Sequence, residues 1–176
     1  MSTATRERIL DTALEILRSG GTVTLDSASR ESGLTKPGLM YYFPNKEALM
    51  LGLVDHVIER WERALRAALG SDPQHASARD RIRAYVDFAL TTDFDETDII
   101  MLADPRLREP LGARWVELLT PWFDLPDDLD AEERGRLTAL RLLADGLWFA
   151  SATQSFEPAE PERAYIRTLA EQLLGD

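Results

Sequence analysis

The apolar residues of this 176-residue chain recur at three- and four-residue spacing from end to end, and no segment alternates convincingly in twos. That periodicity puts apolar side chains on one face of successive helices and leaves no amphipathic strand, so the expected fold is all-α. Between Thr5 and Ser19, residues Ile9, Leu10, Ala13, Leu14, Ile16 and Leu17 mark an amphipathic helix that Gly20-Gly21 ends. A long helix is expected to run from Asn45 to about Leu69, with Leu49, Leu53, Val57, Ile58, Trp61 and Leu65 on its buried side. Further helices are expected at about 77–92, 99–103, 106–123, 131–155 and 161–174. Pro121 either kinks or ends the third of these last elements, and Pro158 and Pro161 separate the final two. With two short helices between the first and the long one, the total is about nine.

Those two short helices occupy residues 24–46, TLDSASRESGLTKPGLMYYFPNK. Thr24 or Asp26 can cap the first of them. Gly33 supplies the positive φ that a tight interhelical turn needs. Thr35 caps the second, and Pro37 sits in its first turn, where a missing N–H costs nothing. Pro44-Asn45 then breaks the chain ahead of the long helix.

Charge is divided unevenly along the chain. The net value is −11, yet residues 1–46 hold six basic side chains against five acids, and both lysines, Lys36 and Lys46, fall there. The remainder carries 14 arginines against 26 acids, and would repel a polyanion. A nucleic acid could therefore approach only the first 46 residues. No cysteine is present, which excludes disulfides and thiolate metal sites. The opening MSTATRERIL has no apolar core of a signal peptide, and no stretch approaches the ~18 apolar residues of a membrane span. A cytoplasmic location is expected.

Catalytic patterns are missing. His56 and His75 are far apart and neither sits near a plausible nucleophile; there is no glycine-rich phosphate loop and no HExxH. Asp93, Asp95, Glu96 and Asp98 lack the glycine and closing glutamate of a calcium loop, so a solvated, helix-capping loop is expected there. Asp127, Asp128, Asp130, Glu132 and Glu133 suit a helix N-terminus. Neither an enzyme activity nor a cofactor nor a metal is expected.

The ordered set Thr24-Leu25, Gly33-Leu34-Thr35, Leu39-Met40-Tyr41-Tyr42-Phe43 and Lys46-Glu47-Ala48-Leu49 resembles the DNA-binding signature of the tetracycline-repressor (TetR) family of bacterial transcription regulators. The sequence departs from that pattern at Ala28, Ser29, Ser32, Pro37, Gly38 and Met40. Beyond about residue 50 the likeness is one of architecture. The resemblance implies a helix-turn-helix DNA-binding domain over residues 1–46 and a helical ligand-binding and dimerisation domain over 47–176. A recognition helix of this kind enters the major groove by its N-terminal residues, here Thr35, Lys36, Pro37 and Gly38. Lys36 can donate to guanine or to phosphate, while Pro37 and Gly38 permit close approach. Tyr41, Tyr42, Lys46 and Thr24 are placed to meet phosphates, and Phe43 is expected in the core.

For the rest of the chain the resemblance implies an apolar effector cavity, with Trp61, Phe88, Met101, Trp115 and Trp122 as its candidate lining. It also implies a homodimer built from the last two helices, in which Leu140, Leu143, Gly146, Leu147, Ala150, Ile166, Leu169 and Leu173 would meet their symmetry mates. Such a dimer presents two reading heads to a palindromic operator. The expected protein is a ligand-responsive regulator of repressor type. Its rivals are a helical protein-interaction module and an enzyme that retains the fold with a vestigial head.

Overall fold

A computed structural model describes residues 3–175. Among them are eight α-helices, two 3-10 turns and no strand. The helices are α1 (Thr3–Arg18), α2 (Leu25–Glu31), α3 (Lys36–Met40), α4 (Lys46–Leu69), α5 (Ala78–Thr91), α6 (Arg108–Phe123), α7 (Ala131–Ala152) and α8 (Glu160–Leu174). The helix expected at 99–103 is a single 3-10 turn, Ile100–Leu102. So few residues lie between the polar run 95–98 and Asp104-Pro105 that i→i+3 bonds close the turn, Leu102 N–H to the Ile99 carbonyl at 2.8 Å and Ala103 N–H to that of Ile100 at 3.1 Å. The last two helices are consequently the seventh and eighth. Helix α6 continues through Pro121 to Phe123.

The helix starts follow from their caps. Thr24, not Asp26, caps α2: its hydroxyl accepts from Ser27 N–H at 3.0 Å while Ser27 Oγ accepts from Thr24 N–H at 2.9 Å. Thr35 Oγ1 accepts from Gly38 N–H at 3.2 Å, and Asn45 Oδ1 from Ala48 N–H at 2.8 Å. Between α2 and α3 the chain reverses at Gly33, whose φ of +69° lets Leu34 N–H reach back to the Ser29 carbonyl at 2.9 Å.

The described chain divides into two compact units. The first comprises residues up to Glu59 together with Asp95–Leu118; the second comprises Arg60–Phe94 and the residues from Leu119 onward.

In the first unit, Ile9, Leu10, Ala13 and Leu14 of α1, Ala28 of α2, Leu39 of α3 and Leu49 and Leu53 of α4 are buried. Phe43 is buried with them, under the Arg6 guanidinium at 5.3 Å from its centroid. Gly52 is what lets the Phe43 ring lie so close to α4, since a Cβ there would stand 2.7 Å from the ring and 3.3 Å from Leu10. Gly52→Ala is therefore expected to cost about 1–3 kcal/mol of stability through overpacking. A thermal melt would read this as a lower midpoint; an unchanged midpoint would show that the ring moves aside freely.

Residues 95–118 are tied to α1 and α4 by three ion pairs: Arg18–Asp95 at 2.8 Å, Lys46–Asp104 at 2.5 Å and Arg114–Asp55 at 2.7 Å. The acidic stretch 93–98 is solvated only in part: Asp93 and Glu96 are exposed, while Thr97 and Asp98 are buried. Asp98 Oδ2 accepts from Asp95 N–H at 2.9 Å, and Asp95 accepts from the Thr97 amide at 2.8 Å and from its hydroxyl. Arg18 also donates to Asp95, and no group of three potential metal ligands occurs among the described residues.

In the second unit, Ile82, Tyr85, Val86, Phe88 and Ala89 of α5 are buried, as are Leu137, Leu140, Ala144, Leu147, Trp148 and Ser151 of α7. Trp61 meets Phe88, Phe94 and Trp148 edge-on at 5.2, 5.5 and 5.3 Å. Arg81 draws two connections together, donating to the Ala76 carbonyl at 3.0 Å, to that of Trp122 at 3.2 Å and to that of Asp124. Asp130 caps α7 by accepting from Glu133 N–H at 2.8 Å.

Candidate nucleic-acid interface

The reading candidates sort by exposure along α3. Thr35, Lys36 and Pro37 are exposed, Gly38 is half-buried, and Leu39 is in the core. Leu39 is the pin that turns this face outward, because burying it leaves its neighbours in the first turn free. Tyr41 is exposed and Tyr42 half-buried, their rings edge-to-face at 5.4 Å. Phe43 lies in the core, as its place at the end of the apolar face requires. Met40 is 41% exposed on the same short helix; an apolar residue flanked by Leu39 gave no sequence signal that it would face outward.

Two features of this surface were not legible in the sequence, and both concern the lysines. Lys36 Nζ lies 3.0 Å from Asp26 Oδ1, a pair whose members are both largely exposed and which solvent and salt weaken. Lys46 Nζ lies 2.5 Å from Asp104 Oδ2, and here the carboxylate is mostly shielded. The hydrogen bond from Lys46, seconded by the Arg106 amide at 2.9 Å from Oδ1, holds the Asp104 carboxyl below its ordinary range. Asp95 is also held low: burial pushes it up, but the Thr97 hydroxyl, the Arg18 guanidinium and the Thr97 amide together outweigh that. The Thr24 hydroxyl is engaged in its own capping box.

The proposed effector residues belong to both units. Trp61 and Phe88 pack against each other as core, and Trp122 is fully buried in the same unit. Met101 and Trp115 belong to the first unit and are half-buried. The indole N–H of Trp122 is buried without a hydrogen-bond partner. A cavity of about 370 Å³ opens in the second unit between Ile82 of α5, Phe123, Leu125 and the Arg134, Leu137 and Arg141 side chains of α7. Sequence reasoning missed it because its wall includes the 124–130 connection, whose composition says only that it is polar. Beside this wall, Tyr85 donates to Asp145 Oδ1 at 2.8 Å, and Arg141 pairs with the other oxygen. Burial first, and then the Asp145 charge, push the Tyr85 phenol well above its ordinary value, so it remains a donor.

On α7 and α8 the structure corrects part of the expected pairing surface. Leu140 and Leu147 are 0% and 7% exposed and belong to the protomer's own core. The outward stripe is carried by Leu142 at 56% and Phe149 at 46%, with Gly146 exposed between them and Leu143 and Ala150 half-buried at its edge. On α8, Tyr165, Leu169 and Leu173 are exposed and Ile166 is half-buried, while Ala170 and Leu174 face inward.

Comparison with known proteins bears on this arrangement. Residues 79–175, more than half of the chain, match the family described as "Tetracyclin repressor-like, C-terminal domain". The chain is 33% identical over 79 residues to the HTH-type transcriptional regulator EthR of Mycolicibacterium smegmatis, across 43% of this chain and 34% of that protein. It is 25% identical over 178 residues to EthR of Mycobacterium tuberculosis, across 92% of this chain and 81% of that protein. Among solved structures it superposes on a TetR-family member from Streptomyces coelicolor with a TM-score of 0.61 at 22% identity, covering 96% of this chain and 97% of that one. It also superposes on the multidrug binding protein EbrR complexed with imidazole, with a TM-score of 0.57 at 21% identity, over 96% and 93% of the two chains.

Proposed function

Because the chain belongs to the tetracycline-repressor family of transcriptional regulators, we propose that it is a homodimeric, ligand-responsive repressor that reads a palindromic operator through α2 and α3. The observation that carries the reading is the exposed face of the α3 region, Thr35, Lys36, Pro37 and Tyr41 outward over a buried Leu39 and Phe43. Lys36 and the backbone at Gly38 approach base edges; Tyr41, Tyr42, Lys46 and Thr24 position the head on phosphates. Residues 1–46 do the reading and 47–176 the sensing and pairing, which is a division of labour and does not follow the compact units.

The effector is a largely apolar small molecule. Support comes from the resemblance to a family whose helical domain takes such ligands. The cavity beside Arg134 and Arg141, which Asp124, Asp127 and Thr138 also line, would suit a ligand with polar groups beside its apolar part. An effector acts only through a difference in its affinity for the operator-competent and incompetent states. No catalytic activity and no cofactor enter this reading. No helix among the described residues is long and apolar enough to cross a membrane, and the protein would work in the cytoplasm.

The test is a mobility-shift titration on the DNA upstream of its own gene, repeated with a panel of small molecules. Lys36→Ala and Tyr42→Ala are each expected to weaken binding by about 10-fold, with a shallower salt dependence for Lys36→Ala. If both variants bound like the parent, the assignment of the reading face would be wrong. Loss of the shift on adding a compound would identify the effector.

A further inference from the structure

The chain has two lysines, and both are paired with carboxylates of the protein itself. The pairs differ in kind. Lys36 and Asp26 are close in sequence and half or more exposed, so their partnership yields readily to another anion. Lys46 is the first residue of α4, and its partner Asp104 stands in the connection between the 3-10 turn and α6. Asp104 is 13% exposed against 39% for Lys46, and both of its oxygens are engaged, Oδ2 by Lys46 and Oδ1 by the Arg106 amide. The same segment is also tied to α1 by Arg18–Asp95 and to α4 by Arg114–Asp55. The ammonium is thus half-open to solvent while the carboxylate is fixed behind it.

We propose that Asp104 is an internal competitor for Lys46, holding the ammonium that a DNA phosphate would otherwise take and so limiting the affinity of the head for DNA. The inference rests on the reading of the head as a DNA reader. A phosphate that approaches Lys46 meets a neutral pair instead of a cation. To be bound it must draw Lys46 off Asp104, or share it and accept repulsion from the carboxylate beside it. Any displacement of residues 95–118 that carries Asp104 away from α4 releases the ammonium, and any that seats it more firmly withholds it. One charge on this segment therefore sets DNA affinity, and the segment is an autoinhibitory contact.

The opposite role is also physically coherent: Asp104 could hold Lys46 in the rotamer that phosphate needs, as a positioning partner. The two differ in sign. Asp104→Asn keeps an acceptor for the Arg106 amide and removes only the charge. Under the proposal it binds the duplex upstream of the protein's own gene about 3–10-fold more tightly than the parent, and the salt dependence steepens by roughly one phosphate per chain. Lys46→Met weakens binding, and in that background the gain from Asp104→Asn shrinks to what relief of the carboxylate's repulsion of phosphate supplies. Equal or weaker binding by Asp104→Asn overturns the proposal, as does a gain as large without Lys46 as with it.

A measurement on the unsubstituted protein stands beside these variants in case Asp104→Asn lowers stability. With two lysines, the side-chain ammonium signals are resolved by NMR. In the free protein the Lys46 ammonium signal is expected to be displaced from that of the more exposed Lys36 by its shielded carboxylate partner; coincident signals would show that Asp104 does not hold Lys46, and the proposal fails. Should the parent bind neither this duplex nor a nonspecific one at low salt, the DNA-reader reading itself falls, and the competition with it.

Discussion

Trp61→Ala is expected to lower the unfolding free energy by about 3–5 kcal/mol, a large share of the roughly 5–15 kcal/mol that holds a domain folded. Trp61 is 1% exposed and its ring meets three others edge-on, Phe88, Phe94 and Trp148. Truncation removes one of the two tryptophans of that cluster and leaves a cavity that rings on three sides cannot collapse to fill. Each edge-to-face contact adds about 0.5–1.5 kcal/mol beyond the area it buries. Urea denaturation followed by circular dichroism gives the value directly. The experiment also separates two roles for this residue. A core tryptophan costs the full amount whatever else is present. A tryptophan that lines an effector cavity costs much less, because the space is already partly empty, and a loss below about 1 kcal/mol would return Trp61 to the effector site.

The second large effect is expected at the outward stripe of α7. Replacing Leu142 and Phe149 together by glutamate is expected to turn a dimer into a monomer, raising the dissociation constant by at least about 100-fold, or roughly 3 kcal/mol. Both side chains are about half exposed, so the protomer's own stability should change little at Leu142 and by about 0.5–1.5 kcal/mol at Phe149, whose ring meets Trp148 edge-on at 6.0 Å. Sedimentation velocity reads the mass, and DNA binding should fall with it, because an operator of two half-sites needs both heads. A dimer that survived both charges would place the pairing surface elsewhere. Gly146 adds a finer test. It lies inside α7, and a Cβ built there meets nothing within 4 Å in the protomer. A glycine in a helix interior costs about 1 kcal/mol relative to alanine. Gly146→Ala should therefore stabilise the isolated protomer while weakening association, if a second helix comes close to that backbone.

The parts of this molecule that the sequence determined are those in which the responsible groups are near neighbours along the chain. Thr24 with Ser27, Thr35 with Gly38 and Asn45 with Ala48 are each three residues apart, so a capping side chain and the amide it serves can be read from a short string. Gly33 announces its turn because few other residues adopt a φ of +69° at low cost. Helical periodicity placed Ile9, Leu10, Ala13 and Leu14 on one face of α1, and all are buried. The signature over residues 24–49 belongs to the same category, since helix, turn, helix and aromatic end are consecutive.

Tertiary structure decided whatever depends on a partner distant in sequence. Periodicity assigns residues to a face but does not rank the faces of a helix that touches neighbours on more than one side. Leu140 and Leu142 are equally apolar; only the packing of α5 and α8 on α7 makes one core and the other surface. The acidic run 93–98 has the composition of a solvated loop, and Asp93 and Glu96 are exposed, yet Asp95 and Asp98 turn inward, where Arg18, 77 residues from Asp95, supplies a compensating charge. Lys46 reads as a free phosphate ligand until Asp104, 58 residues away, is brought to its ammonium. Charge pairing acts over a few ångströms of space and is indifferent to chain distance, so a lysine's availability to DNA is a property of the fold and not of the motif that contains it.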